Sequence, residues 1–218
     1  NIGNFFVQGL TTDNLISITG NSEKFGYYFS FGKMYQKGIV PTTDFFRNTV
    51  RFGATFKAND KLDFNLSVND VNLGSHNRML PGGAPAGTLR SLINPPANFD
   101  ITNGLKDPAN NPLSYTFEDG TQRAYAGGNR GFDSPFWSLN NNPQPDNINR
   151  AVLVEEANYK LTGWLSATLR VGTDLSFERR MALYNKGSIA FPSGILVNYK
   201  FFNRDINTDV YLTAIKDL

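Results

Sequence analysis

Between Arg47 and Ala58 the chain reads RNTVRFGATFKA, and its side chains divide by parity. Val50, Phe52, Ala54, Phe56 and Ala58 fall on one side, and Arg47, Thr49, Arg51, Gly53, Thr55 and Lys57 on the other. A strand turns its side chains over at every residue, so a period of two describes one apolar face and one wet face. A helix would scatter the same Arg and Phe residues around its whole circumference. The segment is therefore confined to a sheet with chemically distinct faces.

The pattern recurs. After a turn at 58–60, Leu62, Phe64, Leu66 and Val68 oppose Asp63, Asn65, Ser67 and Asn69. The phase slips at Asp70, where Val71 and Leu73 take over, which predicts a bulge or the end of an embedded part. From Trp164 to Glu178, Leu165, Ala167, Leu169, Val171, Leu175 and Phe177 share a side against Ser166, Thr168, Arg170, Asp174 and Glu178. At about 3.3 Å per residue this strand suits a tilted membrane crossing. Weaker alternation marks Asn14–Thr19, Phe25–Tyr35, Arg150–Leu161 and Asn207–Ala214, giving about seven strands. The links at 21–24, 58–60 and near 162–163 are short, and those at 36–46, 74–149 and 180–206 are long. Bacterial outer-membrane barrels alternate in this way, with tight turns at one rim and long loops outside.

Composition narrows the alternatives. Charged residues make up 18% of the 218 and the net charge is +2, with basic residues scattered, so nucleic acid is not an expected partner. There is no cysteine, which excludes disulfides and cysteine metal sites. No apolar run approaches the roughly 18 residues of a membrane helix, a test that does not reach membrane strands. The opening NIGNFFVQGL lacks the features of a signal peptide, so the chain is expected to open on a mature start or, in preference, to be an internal piece of a longer one.

Nine of the 11 prolines lie between Pro81 and Pro145, so the 74–149 segment cannot be sheet interior. Its aromatic residues point to an ordered loop, and Tyr115, Tyr125 and Trp137 are the candidates for stacking on sugars or seating peptide side chains. His76 has no companion of the kind zinc needs. Asp107, Glu118, Asp119 and Asp133 lack the spacing of a calcium loop. The glycine-rich DGTQRAYAGGNRGF (119–132) lacks the spacing of a phosphate cradle, and no G-x-S-x-G elbow occurs. No catalytic residue, metal or cofactor is assigned, and the chain is not expected to be an enzyme.

Several ordered stretches carry a family resemblance: ITGNSEKFGYYFSFGKMYQKGIV (18–40), DFFRNTVRFGATFKANDKLDFNLSV (44–68), SPFWSLNNNPQPDNINR (134–150) and LTGWLSATLRVGTDLSFERR (161–180). In that order they resemble the early barrel of the SusC/RagA group of TonB-dependent transporters, found in Bacteroidetes. Within them Gly20–Asn21–Glu23, Tyr27–Tyr28–Ser30, Gly38–Ile39 and Arg47 match the group's recurrent elements.

The resemblance implies an all-β fold: a partial transmembrane antiparallel barrel, about seven strands of about 22. The two longest links, 74–149 and 180–206, would be extracellular. The chain would sit in the outer membrane as a multi-pass barrel against lipid. The plug domain is absent from these residues, so the TonB complex would act through a plug elsewhere, with a SusD-like surface lipoprotein above. The implied function is TonB-dependent import of oligosaccharides or peptides. Arg51, Lys57, Asp63 and Arg170, on the wet faces, would line the lumen or meet the plug. Two other readings stay open, a passive porin or adhesin barrel and a soluble carbohydrate-binding β-domain.

Overall fold

A computed structural model of the chain describes residues 2–79, 87–125 and 132–215. Seven strands form one antiparallel sheet in simple meander order: β1 (Leu10–Asn21), β2 (Phe25–Lys37), β3 (Asp44–Lys57), β4 (Leu62–Ser75), β5 (Asp146–Lys160), β6 (Leu165–Tyr184) and β7 (Ile195–Ala214). Two short helices, α1 (Thr88–Ile93) and α2 (Pro135–Asn141), lie between β4 and β5.

At one end of the sheet the turns are tight and closed by small polar side chains. Ser22 Oγ accepts from Phe25 N, Asn59 Oδ1 from Lys61 N and Leu62 N, and Thr162 Oγ1 from Leu165 N. Each lets a side chain stand in for a backbone acceptor where the chain reverses. At the other end lie the links 38–43, 76–145 and 185–194. Thr42 there adopts φ 64°, costly for a β-branched residue, and is held by hydrogen bonds to Leu139 O and from Asn77 Nδ2.

The buried core sits in this loop-rich end and not on the sheet. Phe136, Trp137 and Leu139 of α2 pack with Leu92 of α1, Ala109, Tyr115, Val40 and Phe5 from the N-terminal 3-10 turn. Pro135 opens α2 at a position whose N–H would have no helical partner. Together these segments form a cap.

The sheet itself has no second layer among the described residues. Cross-strand rows such as Ile18–Phe29–Phe52–Val68–Leu153 gather the apolar residues on one face. That face is uncovered, with Phe56 48% and Leu169 45% exposed.

Four expectations are corrected here. The strands do not make a barrel: β1 and β7 each pair on one side only and not with each other, so the sheet is open. An open edge presents a row of unpaired N–H and C=O groups, which hydrocarbon cannot satisfy. The assignment as a SusC/RagA barrel piece, the transmembrane strands and the multi-pass outer-membrane location against lipid all depended on closure, and they give way to an open sheet. Among the described residues no helix is long and apolar enough to cross a membrane, a statement that does not concern strands.

Two details of the strands also differ from expectation. No bulge interrupts β4 at Asp70, because Asp70 pairs with Val50 and Val71 with Thr49 in an unbroken ladder. The phase slip instead puts Asp70 on the apolar face, and Val71 and Leu73 on the polar one. β6 and β7 run on to Tyr184 and back to Ile195, which shortens the expected 180–206 link to 185–194.

Candidate functional site

The register carries the wet residues of each strand into shared rows. One row runs Thr55–Asn65–Glu156–Arg170–Asp209 from β3 to β7. Within it Arg170 donates from Nε to Glu156 Oε2 at 2.8 Å and from Nη2 at 2.6 Å, and Nη2 also reaches the Tyr211 hydroxyl at 3.1 Å. Asn158 Nδ2 donates to Glu156 Oε1 at 3.0 Å and to Asp63 Oδ2 at 3.1 Å, while Thr168 Oγ1 donates to Asn158 Oδ1. The hydrogen bonds from Asn158, then Arg170 and Asn65, hold the Glu156 carboxyl below its ordinary range. Glu156 in turn raises Arg170. The row sets one guanidinium, Arg170, between two carboxylates, Glu156 and Asp209.

Nearer the cap cations predominate. A groove of about 900 Å³ is lined by Arg47 and Arg51 of β3 and Arg150 of β5, with Asp13 as the one lining carboxylate. Arg150 is fully engaged, because Asp174 takes Nε at 3.0 Å and Nη2 at 2.5 Å; this pairing raises the guanidinium and lowers the carboxyl. Arg47 stands 3.8 Å from Asp13. Arg51 has no carboxylate in salt-bridge range among the described residues; its Nε donates to the neutral amide of Asn69 at 3.3 Å. Val71, Leu73, Ile148 and Val152 lie between these cations on the same face. Apolar side chains on a wet face follow from the uninterrupted register of β4.

The seven residues singled out from the sequence separate into groups. Arg51, Lys57, Asp63 and Arg170 share the polar face, and Lys57 pairs across from Asp63. Arg51 lies in the groove, Arg170 in the ionic ladder, and Lys57 and Asp63 beside the tight turns with Lys24, Asp60 and Lys160. Among the described residues the open sheet encloses no lumen. Tyr115 and Trp137, 8% and 7% exposed, form an edge-to-face pair inside the cap, with centroids 6.3 Å apart. Their rings belong to the buried core of the cap. Tyr125 is half-buried against Phe99 at 5.8 Å.

Sequence reasoning missed Arg47 and Arg150 as groove residues. Arg47 was legible, since it lies four residues before Arg51 on the same parity. Arg150 was not, because the β4–β5 register spans the whole cap.

His76 is held by Asp44, with Nδ1 at 2.5 Å from Oδ2. No group of three or more His, Cys, Asp or Glu suited to a metal occurs among the described residues. Residues 80–86, most of LPGGAPAG, and 126–131 of the glycine-rich stretch lie outside the described residues.

The geometry defines a class: an open antiparallel meander with an ionic ladder and a cationic groove on one face and a helical cap at one end. No family model matches the chain, and no curated protein matches it. The same sheet does occur in solved structures. The chain is similar to a chain of the RagAB peptide importer in its open-open state, with 16% identity and a TM-score of 0.70 over 97% of this chain. The closed-closed state of that importer gives 16% identity and 0.65 over 96%, and another structure, of the RagAB peptide transporter, 16% and 0.65 over 93%. The chain spans 22% of the length of each of those proteins. The likeness establishes a shared sheet fold and not membership of a family.

Proposed function

We propose that the chain is a ligand-binding β-module that serves a nutrient-import assembly, and that peptides are its ligands. The observation that carries this reading is the coincidence of two features. The whole sheet follows that of proteins described as a peptide importer, and one of its faces holds a groove with cations, amides and apolar side chains together. Extended peptides present the matching mixture of backbone polar groups and alternating side chains. The module binds without catalysis. The SusD-like lipoprotein and the TonB complex are proposed as companions of the wider assembly.

A carbohydrate-binding role is the second reading. Exposed aromatic platforms are what it would need; Tyr115 and Trp137 are buried, while Tyr28, which lines the groove, and Trp164 are exposed. Titration of the full chain with a defined peptide pool and with a linear oligosaccharide separates the two. Saturable heat with peptides alone is expected. Saturation by the oligosaccharide alone would reverse the assignment, and heat from neither would remove both.

A further inference from the structure

We infer that the groove between Arg47, Arg51 and Arg150 is a carboxylate site that selects acidic peptides carrying apolar neighbours. The inference rests on the peptide-binding reading and specifies the ligand's chemistry.

Charge complementarity carries the argument. Three guanidinium groups line the groove against one lining carboxylate. Asp174 neutralises Arg150, and Asp13 partly offsets Arg47 from 3.8 Å. Arg51 keeps its charge unmatched among the described residues, and its single side-chain hydrogen bond there runs from Nε to an amide oxygen. The Nη edge is the part of the guanidinium that binds a carboxylate by two parallel hydrogen bonds.

The spacing also suits a peptide. Arg47 and Arg51 lie four residues apart on one strand, roughly 13 Å at about 3.3 Å per residue. Every second side chain of an extended peptide recurs at about 7 Å, so carboxylates at positions i and i+4 match the pair. Val71 and Leu73 lie alongside on β4, with Val152 and Ile148 beyond on β5. They would receive the apolar side chains of the same ligand, a contact that inorganic anions and neutral sugars cannot supply.

The test is a titration of the full chain with three N-acetylated peptides: a Ser-Glu-Ser-Leu-Ser-Glu amide, whose two Glu and one Leu fall on one side of an extended chain, its counterpart with Gln for Glu, and that Gln peptide with a free C-terminal carboxylate. The Glu peptide is expected to bind about tenfold more tightly than the Gln amide, the scale of one charge-assisted bidentate pair. Arg51→Gln should abolish that preference, Arg51→Lys should keep part of it, and added salt should weaken it. Unchanged amide protection of β3 shows that the variants are folded. If the free-terminus peptide alone gains, the site reads a terminal carboxylate and the side-chain version is wrong. Equal binding of all three overturns the carboxylate site while leaving peptide binding intact. Binding of none overturns both.

Discussion

Ser188 Oγ donates to Asp133 Oδ2 at 2.6 Å, a buried hydrogen bond between the residue just before the entry to α2 and the β6–β7 link. Asp133 also accepts from Gln122 Nε2, Asn142 Nδ2 and the Ile189 backbone N–H. Four donors from three segments converge on one carboxylate and fasten the cap to the β6–β7 link. Asp133→Ala should leave several of these donors unsatisfied and cost about 2–3 kcal/mol. Urea unfolding gives the loss, and amide exchange should show it concentrated at 185–190; a uniform loss across the strands would contradict the local role.

Asp44 gives the cap end a defined acid sensitivity. Burial pulls its carboxyl upward, but the His76 ring and the backbone N–H groups of His76 and Asn77 outweigh that and hold it below the ordinary value. A folded-state value below the unfolded one adds stability above the unfolded pKa, about 3.9, and loses it as pH falls through the folded value. Asp44→Asn should therefore be less stable than the natural chain at neutral pH, with the gap closing below about pH 4. Unfolding curves across the acid range measure this, and a gap that widens toward low pH would refute it.

Two glycines on the sheet should respond in opposite directions. A Cβ on Gly74 would collide with the Asp146 carbonyl oxygen and stand 3.0 Å from Asn147 Cα, both backbone atoms of the paired strand. Gly74→Ala should cost about 2–3 kcal/mol. A Cβ on Gly172 meets nothing within 4 Å, so Gly172→Ala should be neutral or stabilise by about 0.5–1 kcal/mol, through the lost freedom of the unfolded chain. Denaturant midpoints of the two variants decide it; the same sign for both would reject the close approach of β4 and β5.

Trp137 supports the cap from inside. Trp137→Ala should remove the edge-to-face partner of Tyr115 and cost about 3–5 kcal/mol. Exchange protection should fall across α1, α2 and the 112–116 turn while β2 and β3 keep theirs. If the substitution leaves stability unchanged, Trp137 is not a core residue.

Much of the sheet was legible because its rule is local. The parity of Val50, Phe52, Ala54 and Phe56 against Thr49, Arg51 and Thr55 survives in the structure residue for residue. Where parity is mixed, the strands were truncated. Ile195, Leu196 and Val197 are consecutive apolar residues, and Arg204 lies in the apolar row opposite Leu175, so the first half of β7 showed no period. Asp70 misled for the complementary reason. A carboxylate on the apolar face looks like a slipped register, yet the ladder through it is continuous. The aromatic residues of the cap could be recognised as an ordered cluster, but whether Trp137 faced ligand or core was not written in its neighbours.

The alternation of side chains by itself determined that the chain forms strands with one apolar and one polar face, because that depends on each residue's position within its own strand. Tertiary structure alone decided that β1 and β7 stay apart, that no layer covers the apolar face among the described residues and that Arg150 joins Arg47 and Arg51 around one groove. Those outcomes depend on pairing between segments up to the length of the cap apart, and no local period encodes which strand lies beside which.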